Sequence, residues 1–298
     1  MPFMETKENL MSIQPEELVK GIGKLASLPE VCIRLNEMVE DPRYSSMQVG
    51  DVIGRDPALT AQLLRLVNSA FFSFPAKVST ISRAVMIIGE RELRYLVLAM
   101  SAVKAFAQVP VELVSMESFW RHSVYCGVVA KLIATKCDVL HPERLFVAGL
   151  LHDIGLLVML NRTPELERVA LQRAASAEEP VFMAEREVFG EGCDHAVIGS
   201  VLLKSWNLPP QLCQAVACHH EIERAGEARL DAAIIHLANL VTNYSEMATV
   251  GGFDVVSGDP MAWELTGLSE DIVPTLQEEA GPMFAESWSL IQPMFHRA

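Results

Sequence analysis

Leu145 to Leu160 is the longest apolar run of the chain, and His152-Asp153 interrupts it near its middle. At sixteen residues the run is too short for a bilayer span, which takes about 20. Imidazole and carboxylate are also costly to bury without partners. The run therefore reads as one buried helix with a polar pair inside it. The same conflict recurs further along. His122 shares an otherwise apolar face with Phe119, Cys126, Val129 and Ile133. His195 lines up with Ile198 and Leu202, and His219, followed by His220, lines up with Leu212 and Val216. Each imidazole stands where an amphipathic helix would place an apolar side chain. Leu145, Ala148, His152 and Gly155 share one helical face, and Asp153 lies about 100° around from it. A fold of this chain must either bring these groups together or give each a hydrogen-bonding partner.

The remainder reads as helix after helix. Asp56-Pro57 is a start signal, with an N-cap side chain and proline at the first helical position. Leu59, Leu63, Leu66 and Val67 then form a stripe at 3.6-residue spacing, which Asn68-Ser69 weakens. Asp41-Pro42, with Ser45 or Ser46 as cap, starts the segment through Val49, Val52 and Ile53. Ser79 is the expected cap of Ile81–Ile88, and Gly89 the stop. Asp194 caps the helix of His195, Leu208-Pro209-Pro210 starts the next, and Ala232, Ile235, Asn239 and Thr242 lie along a last long one. Val250–Pro260 reads as irregular, and Ser269–Glu279 and Met283–Ile291 as two short closing helices. No alternating pattern persists, so the expected class is all-α: a two-lobed helical bundle. Pro110 breaks the chain between the lobes. The expected units are residues 15–112, residues 113–245 with the polar cluster, and residues 246–298 packing on the second lobe.

Composition narrows the function. Half of the 298 residues are hydrophobic and the formal net charge is −14. No basic cluster stands out, which argues against nucleic-acid binding. No basic segment followed by an apolar core opens the chain, and no run spans a membrane, so a cytoplasmic protein is expected. The six cysteines form no Cys-x-x-Cys pair and read as reduced core residues. Cys218, beside His219, is a weak candidate zinc ligand. Individually the histidines have a bland reading as hydrogen-bonded core residues, and His141, His236 and His296 are left with a structural or surface role. Collectively, inward imidazoles on several helices plus a carboxylate are the way helical bundles build metal sites. That donor set suits Fe, Mn, Zn or Ni, with one or two ions bound, or none.

The order His122, His152-Asp153, then a late polar residue resembles the HD superfamily of metal-dependent phosphohydrolases. In the first lobe, Leu28-Pro29, Asp41-Pro42, Asp56-Pro57-Ala58-Leu59, Leu63 through Ala70 and Ile81 through Gly89 resemble the HDOD family, the HD-related output domains of bacterial signalling. The resemblance spans roughly residues 20 to 245. It implies an all-helical fold with an HD-like second lobe, and a regulatory role without the catalysis of the true HD enzymes. The chain is also similar to the HD-GYP phosphodiesterases. By that likeness His122, His152 and Asp153 are first-metal ligands, with Asp153 the bridge and the residue on which any catalysis depends. His195, His219 and His220 match histidines of the further metal sites.

Asn239 stands where the superfamily's last aspartate is expected, and would offer only a neutral oxygen. Leu156 replaces the lysine of the enzymes' His-Asp-x-Gly-Lys run. Ser118 replaces a glutamate seen in some relatives, and no Gly-Tyr-Pro loop follows His219-His220-Glu221. Each lost electrostatic contact costs on the order of a hundredfold in rate. Lys204 or Arg162 is the only replacement cation in view. A non-catalytic signalling module retaining part of the metal site is therefore the leading expectation. A phosphohydrolase acting on a nucleotide or cyclic dinucleotide is the alternative. The expected partner is a separate signalling protein, with a nucleotide ligand and a homodimer compatible with the chain. Phe71, Phe72 and Phe74 read equally as a partner surface or as a plug between helices.

Overall fold

A computed structural model of the protein describes residues 13–22, 29–39, 41, 43–69, 72, 74, 76–106, 113–245 and 258–294. Every regular element among them is helical. The first six helices are α1 (Pro15–Gly21), α2 (Glu30–Val39), α3 (Ser46–Gly54), α4 (Pro57–Val67), α5 (Ile81–Ile88) and α6 (Glu90–Phe106). Their starts are those that side-chain capping dictates. Asp56 accepts from the N–H groups of Ala58 and Leu59 ahead of α4. Ser45 and Gln48 form a reciprocal capping box at α3. The cap of α5 is Thr80, not the expected Ser79: the Thr80 side chain accepts from the Arg83 N–H, and Gly89 ends the helix at φ 103°. Asn68 does more than weaken α4. Its side chain donates to the carbonyls of Leu64 and Val78 and accepts from the Val78 N–H, tying the helix end to the segment before α5.

The next helices are α7 (Met116–Lys136), α8 (Glu143–Leu151), α9 (Ile154–Arg162), α10 (Pro164–Ala177), α11 (Val181–Phe189), α12 (His195–Ser205) and α13 (Pro210–Ala217). A 3₁₀ segment, Ile222–Ala228, leads into α14 (Arg229–Asn243), followed by α15 (Pro260–Thr266) and α16 (Val273–Ile291). Helix α7 is the central rod, with α8, α14 and α16 packed on it. Its crossing with α8 is close because two glycines meet there. A Cβ on Gly149 would lie 2.9 Å from Gly127 Cα.

The run Leu145–Leu160 is not the single helix expected from its length. It belongs to two helices, α8 and α9, and His152-Asp153 forms the joint between them. Asp153 has φ −100° and ψ 11°, off the helical path, and begins α9. The joint turns α9 onto α12, and Gly155 permits the approach. A Cβ there would overlap the carbonyl oxygen of His195 and lie 2.5 Å from the Gly199 nitrogen.

The closing segment also differs from expectation. Instead of two short helices, α16 runs unbroken through Pro282. It packs on α7 and also reaches α4. Helix α1 packs against α9 and α12, so packing joins the early and late parts of the chain at both ends. Phe72 is buried and stacks on half-buried Phe74 at 5.6 Å, which makes these two a plug rather than an exposed surface. Phe71 and His296, like Leu28, Ala70, Pro110 and most of Val250–Pro260, lie outside the described residues. No helix among the described residues is long and apolar enough to cross a membrane.

Candidate metal centre

Four elements deliver the polar groups. His122 comes from the middle of α7, His152 and Asp153 from the α8–α9 joint, and His195 from the first position of α12. His219 and His220 follow the end of α13. Asp194 places His195 by capping α12, accepting from the Val197 N–H at 2.9 Å. All are buried except His220, which is half-buried.

The Asp153 carboxylate is the centre of the arrangement. Its Oδ2 lies 2.9 Å from His152 Nε2 and 3.7 Å from His122 Nε2. Its Oδ1 lies 3.5 Å from His195 Nε2 and 3.8 Å from His219 Nε2. His220 completes the second group, its Nε2 at 2.9 Å from His195 Nε2. Two potential ligand triads result, His122–His152–Asp153 and His195–His219–His220, each with donor atoms within 4.8 Å of one another. One oxygen of Asp153 faces each.

The outward nitrogens are already committed. His152 Nδ1 donates to the Gly149 carbonyl, His219 Nδ1 to the Val216 carbonyl, and His195 Nδ1 to the Glu185 carboxylate. In His195 and His219, with the proton on Nδ1, the inward Nε2 carries a lone pair, the form in which imidazole binds metals. Burial and the neighbouring imidazoles push the pKa of His219 well below the usual histidine value, so it stays neutral. His220 is lowered in the same way. Burial disfavours the charged forms of His152 and Asp153. The mutual attraction of the pair outweighs that, raising His152 and holding Asp153 far below the carboxylate range.

His219 Nε2 and Asp153 Oδ1 are both buried and make no hydrogen bond, although they face each other at 3.8 Å. Two acceptors do not satisfy one another. Two ligands of a shared transition ion stand about 3–4 Å apart, so a cation is what the pair fits.

Asn239 is buried on α14. Its Oδ1 accepts from Asn243 Nδ2 at 3.2 Å, and its Nδ2 makes no hydrogen bond. Leu156 is half-buried, two residues into α9. Neither suggested replacement cation is placed at the centre. The Arg162 guanidinium lies beside Gly21, and Lys204 lines a different cleft. Cys218 joins neither triad; its Sγ accepts from Gln214, and burial raises its thiol pKa. His236 is structural. Its Nδ1 donates to the His219 carbonyl, and its Nε2 accepts from the Asp259 N–H. His141 is exposed.

Two residues escaped the sequence reading. Glu185 is fully buried behind His195 and accepts from both its backbone N–H and its Nδ1. A signal was present: Glu185 interrupts the i, i+4, i+8 stripe Val181, Glu185, Phe189. Arg186 donates to Asp194 and Glu221 and lies over the Phe182 ring, which in turn stacks on His220. No local pattern marks it, because its partners come from two other segments.

Fold and site together define a helical protein with an HD-type cluster of histidines around one aspartate. The chain matches the HDOD domain over residues 25–222 and belongs to that family. The match covers both triads and ends before Asn239. An HDOD domain protein of unknown function from Geobacter sulfurreducens shares the fold, with TM-score 0.71 and 24% identity, covering 95% of this chain and 99% of the other. A protein from Shewanella amazonensis SB2B, provisionally named a phosphohydrolase, is 25% identical with TM-score 0.68, covering 96% of this chain and all of its own. An uncharacterised protein of Treponema pallidum is 27% identical over 208 residues, 69% of this chain but only 39% of its own length. The chain thus spans less than half of that relative.

Proposed function

We propose that this protein is a regulatory HDOD module that holds a divalent transition metal at His122, His152 and Asp153 without efficient turnover. His195, His219 and His220 form a second, weaker site. The observation that carries the reading is the Asp153 carboxylate, which offers one oxygen to each histidine group. A bound ion would polarise a phosphoryl or carboxylate oxygen presented to it. The chain's own residues would fix its position. Asp153 supplies the charge, the histidines supply neutral nitrogens, and the carbonyls of Gly149 and Val216 hold the rings. What argues against efficient phosphodiester hydrolysis is the missing charge. By the HD resemblance Leu156 stands in place of a substrate-binding lysine, and Asn239 in place of a carboxylate ligand. Partner recognition then lies with the helical surface, through a separate signalling protein or a second copy of the chain.

The second reading, a working metal-dependent phosphohydrolase, is favoured by the convergence of all six groups and by the name of the Shewanella relative. The two separate on one experiment: metal analysis of protein purified without added metal, followed by an assay on bis(p-nitrophenyl)phosphate. The expected result is about one transition metal per chain, lost on chelation with a fall in melting temperature, and negligible hydrolysis. Turnover abolished by Asp153→Ala would replace the module reading with the enzyme. Melting unaffected by chelation in metal-free protein would replace the metal with a purely hydrogen-bonded core.

A further inference from the structure

A cleft of about 810 Å³ opens between the start of α6 and the α12–α13 junction. It is lined by Arg91, Arg94 and Lys204, with Tyr95, Leu208 and Pro209 among its other walls. Lys204 lies near the far end of the helix that begins with His195. Nine residues of α12 separate the two by about 14 Å along the axis, so the cleft is distinct from the histidine centre.

Three cations and no carboxylate among the described residues that line the cleft are unexpected in a chain with 38 acidic and 24 basic residues. Arg94 is the most telling of them. Its residue is 4% exposed, yet its guanidinium has no carboxylate partner among the described residues. Nη1 donates to Asn36 Oδ1 at 3.3 Å, Nε makes no hydrogen bond, and the guanidinium carbon lies 5.1 Å from the Tyr95 ring centroid. The inward-drawn Arg144 and Arg186 differ, since Asp231 and the Asp194–Glu221 pair neutralise them. Burying a charge without a counter-ion is costly, and a guanidinium fork matches phosphate oxygens in pairs. Asn36 holds Arg94 in place and also donates to the Trp206 carbonyl at 2.9 Å, linking both sides of the cleft. Leu208 and Pro209 add an apolar wall for the uncharged part of a ligand, and the volume is that of ordinary small-molecule sites.

We infer that this cleft binds a phosphorylated small molecule of nucleotide size, its phosphates on Arg91, Arg94 and Lys204. The site needs neither metal nor Asp153, so it stands or falls separately from the metal-centre reading.

The test is calorimetric titration of the full chain, in chelator and without magnesium, with ATP, pyrophosphate and adenosine. ATP and pyrophosphate are expected to bind, more weakly as salt rises, and adenosine to bind at least tenfold more weakly than ATP. The exposed double variant Arg91→Ala/Lys204→Ala is expected to lose about tenfold or more in ATP affinity, while Asp153→Ala keeps it. Arg94→Met is expected to abolish binding; if it does not fold, the double variant decides. Absence of heat with millimolar ATP and pyrophosphate overturns the inference. So does adenosine binding as tightly as ATP, or a double variant that binds like the parent.

Discussion

Glu185 Oε2 lies 2.7 Å from His195 Nδ1 and 2.8 Å from the His195 backbone nitrogen, so one buried carboxylate fixes both the ring and the start of α12. Such a partner behind a ligating imidazole raises its basicity and holds its tautomer. Glu185→Ala is expected to weaken metal binding at the second site by about 10–100-fold, read by competition against a chromogenic chelator. Equal affinity in the variant would mean that His195 takes no part in binding.

Gly155 lies where α9 meets α12, its side-chain position filled by the His195 carbonyl and the Gly199 nitrogen. Gly155→Ala must push the two helices apart. Overpacking of this kind costs about 1–3 kcal/mol, visible as a lower urea midpoint. The shift also moves His195 away from Asp153, so metal affinity should fall with it. A variant as stable as the parent would show that the helices part without strain.

Asn239→Asp tests the residue whose place in the site is inferred from resemblance alone. Asp would keep the oxygen that accepts from Asn243 and add a charge. Metal affinity is expected to rise. No gain on titration would mean that Asn239 does not line the site.

Lys131 is buried in α7, with its Nζ 5.1 Å from the centroid of the Phe72 ring. Burial, only partly offset by Glu143, lowers its pKa to about 8. The unfolded chain keeps the proton up to a pKa of about 10.4. Between these values Lys131 is more protonated in the unfolded state than in the folded one, so its own contribution to stability rises with pH across that window. Lys131→Met should remove this rise and stabilise the protein at pH 7 by on the order of 2 kcal/mol. Denaturation curves at pH 7 and pH 10 measure both effects. A stability difference between parent and variant that stays flat over that range would contradict the account.

Much of this protein is written locally. The caps at Ser45, Asp56 and Asp194, the stop at Gly89 and the apolar stripes depend on residues within one or two turns, so they can be read along the chain. The same holds for the choice of His122, His152, Asp153, His195, His219 and His220, because a polar group in an apolar stripe stands out wherever the stripe goes. What needed the tertiary structure is set by contacts between distant segments. A continuous apolar run does not say where it will bend, and only the packing of α9 on α12 through Gly155 explains the joint at Asp153. Glu185, Arg186 and Arg94, the last without a carboxylate partner among the described residues, are ordinary charged residues in sequence. Their roles arise from burial and from partners many residues away, which one-dimensional periodicity does not encode.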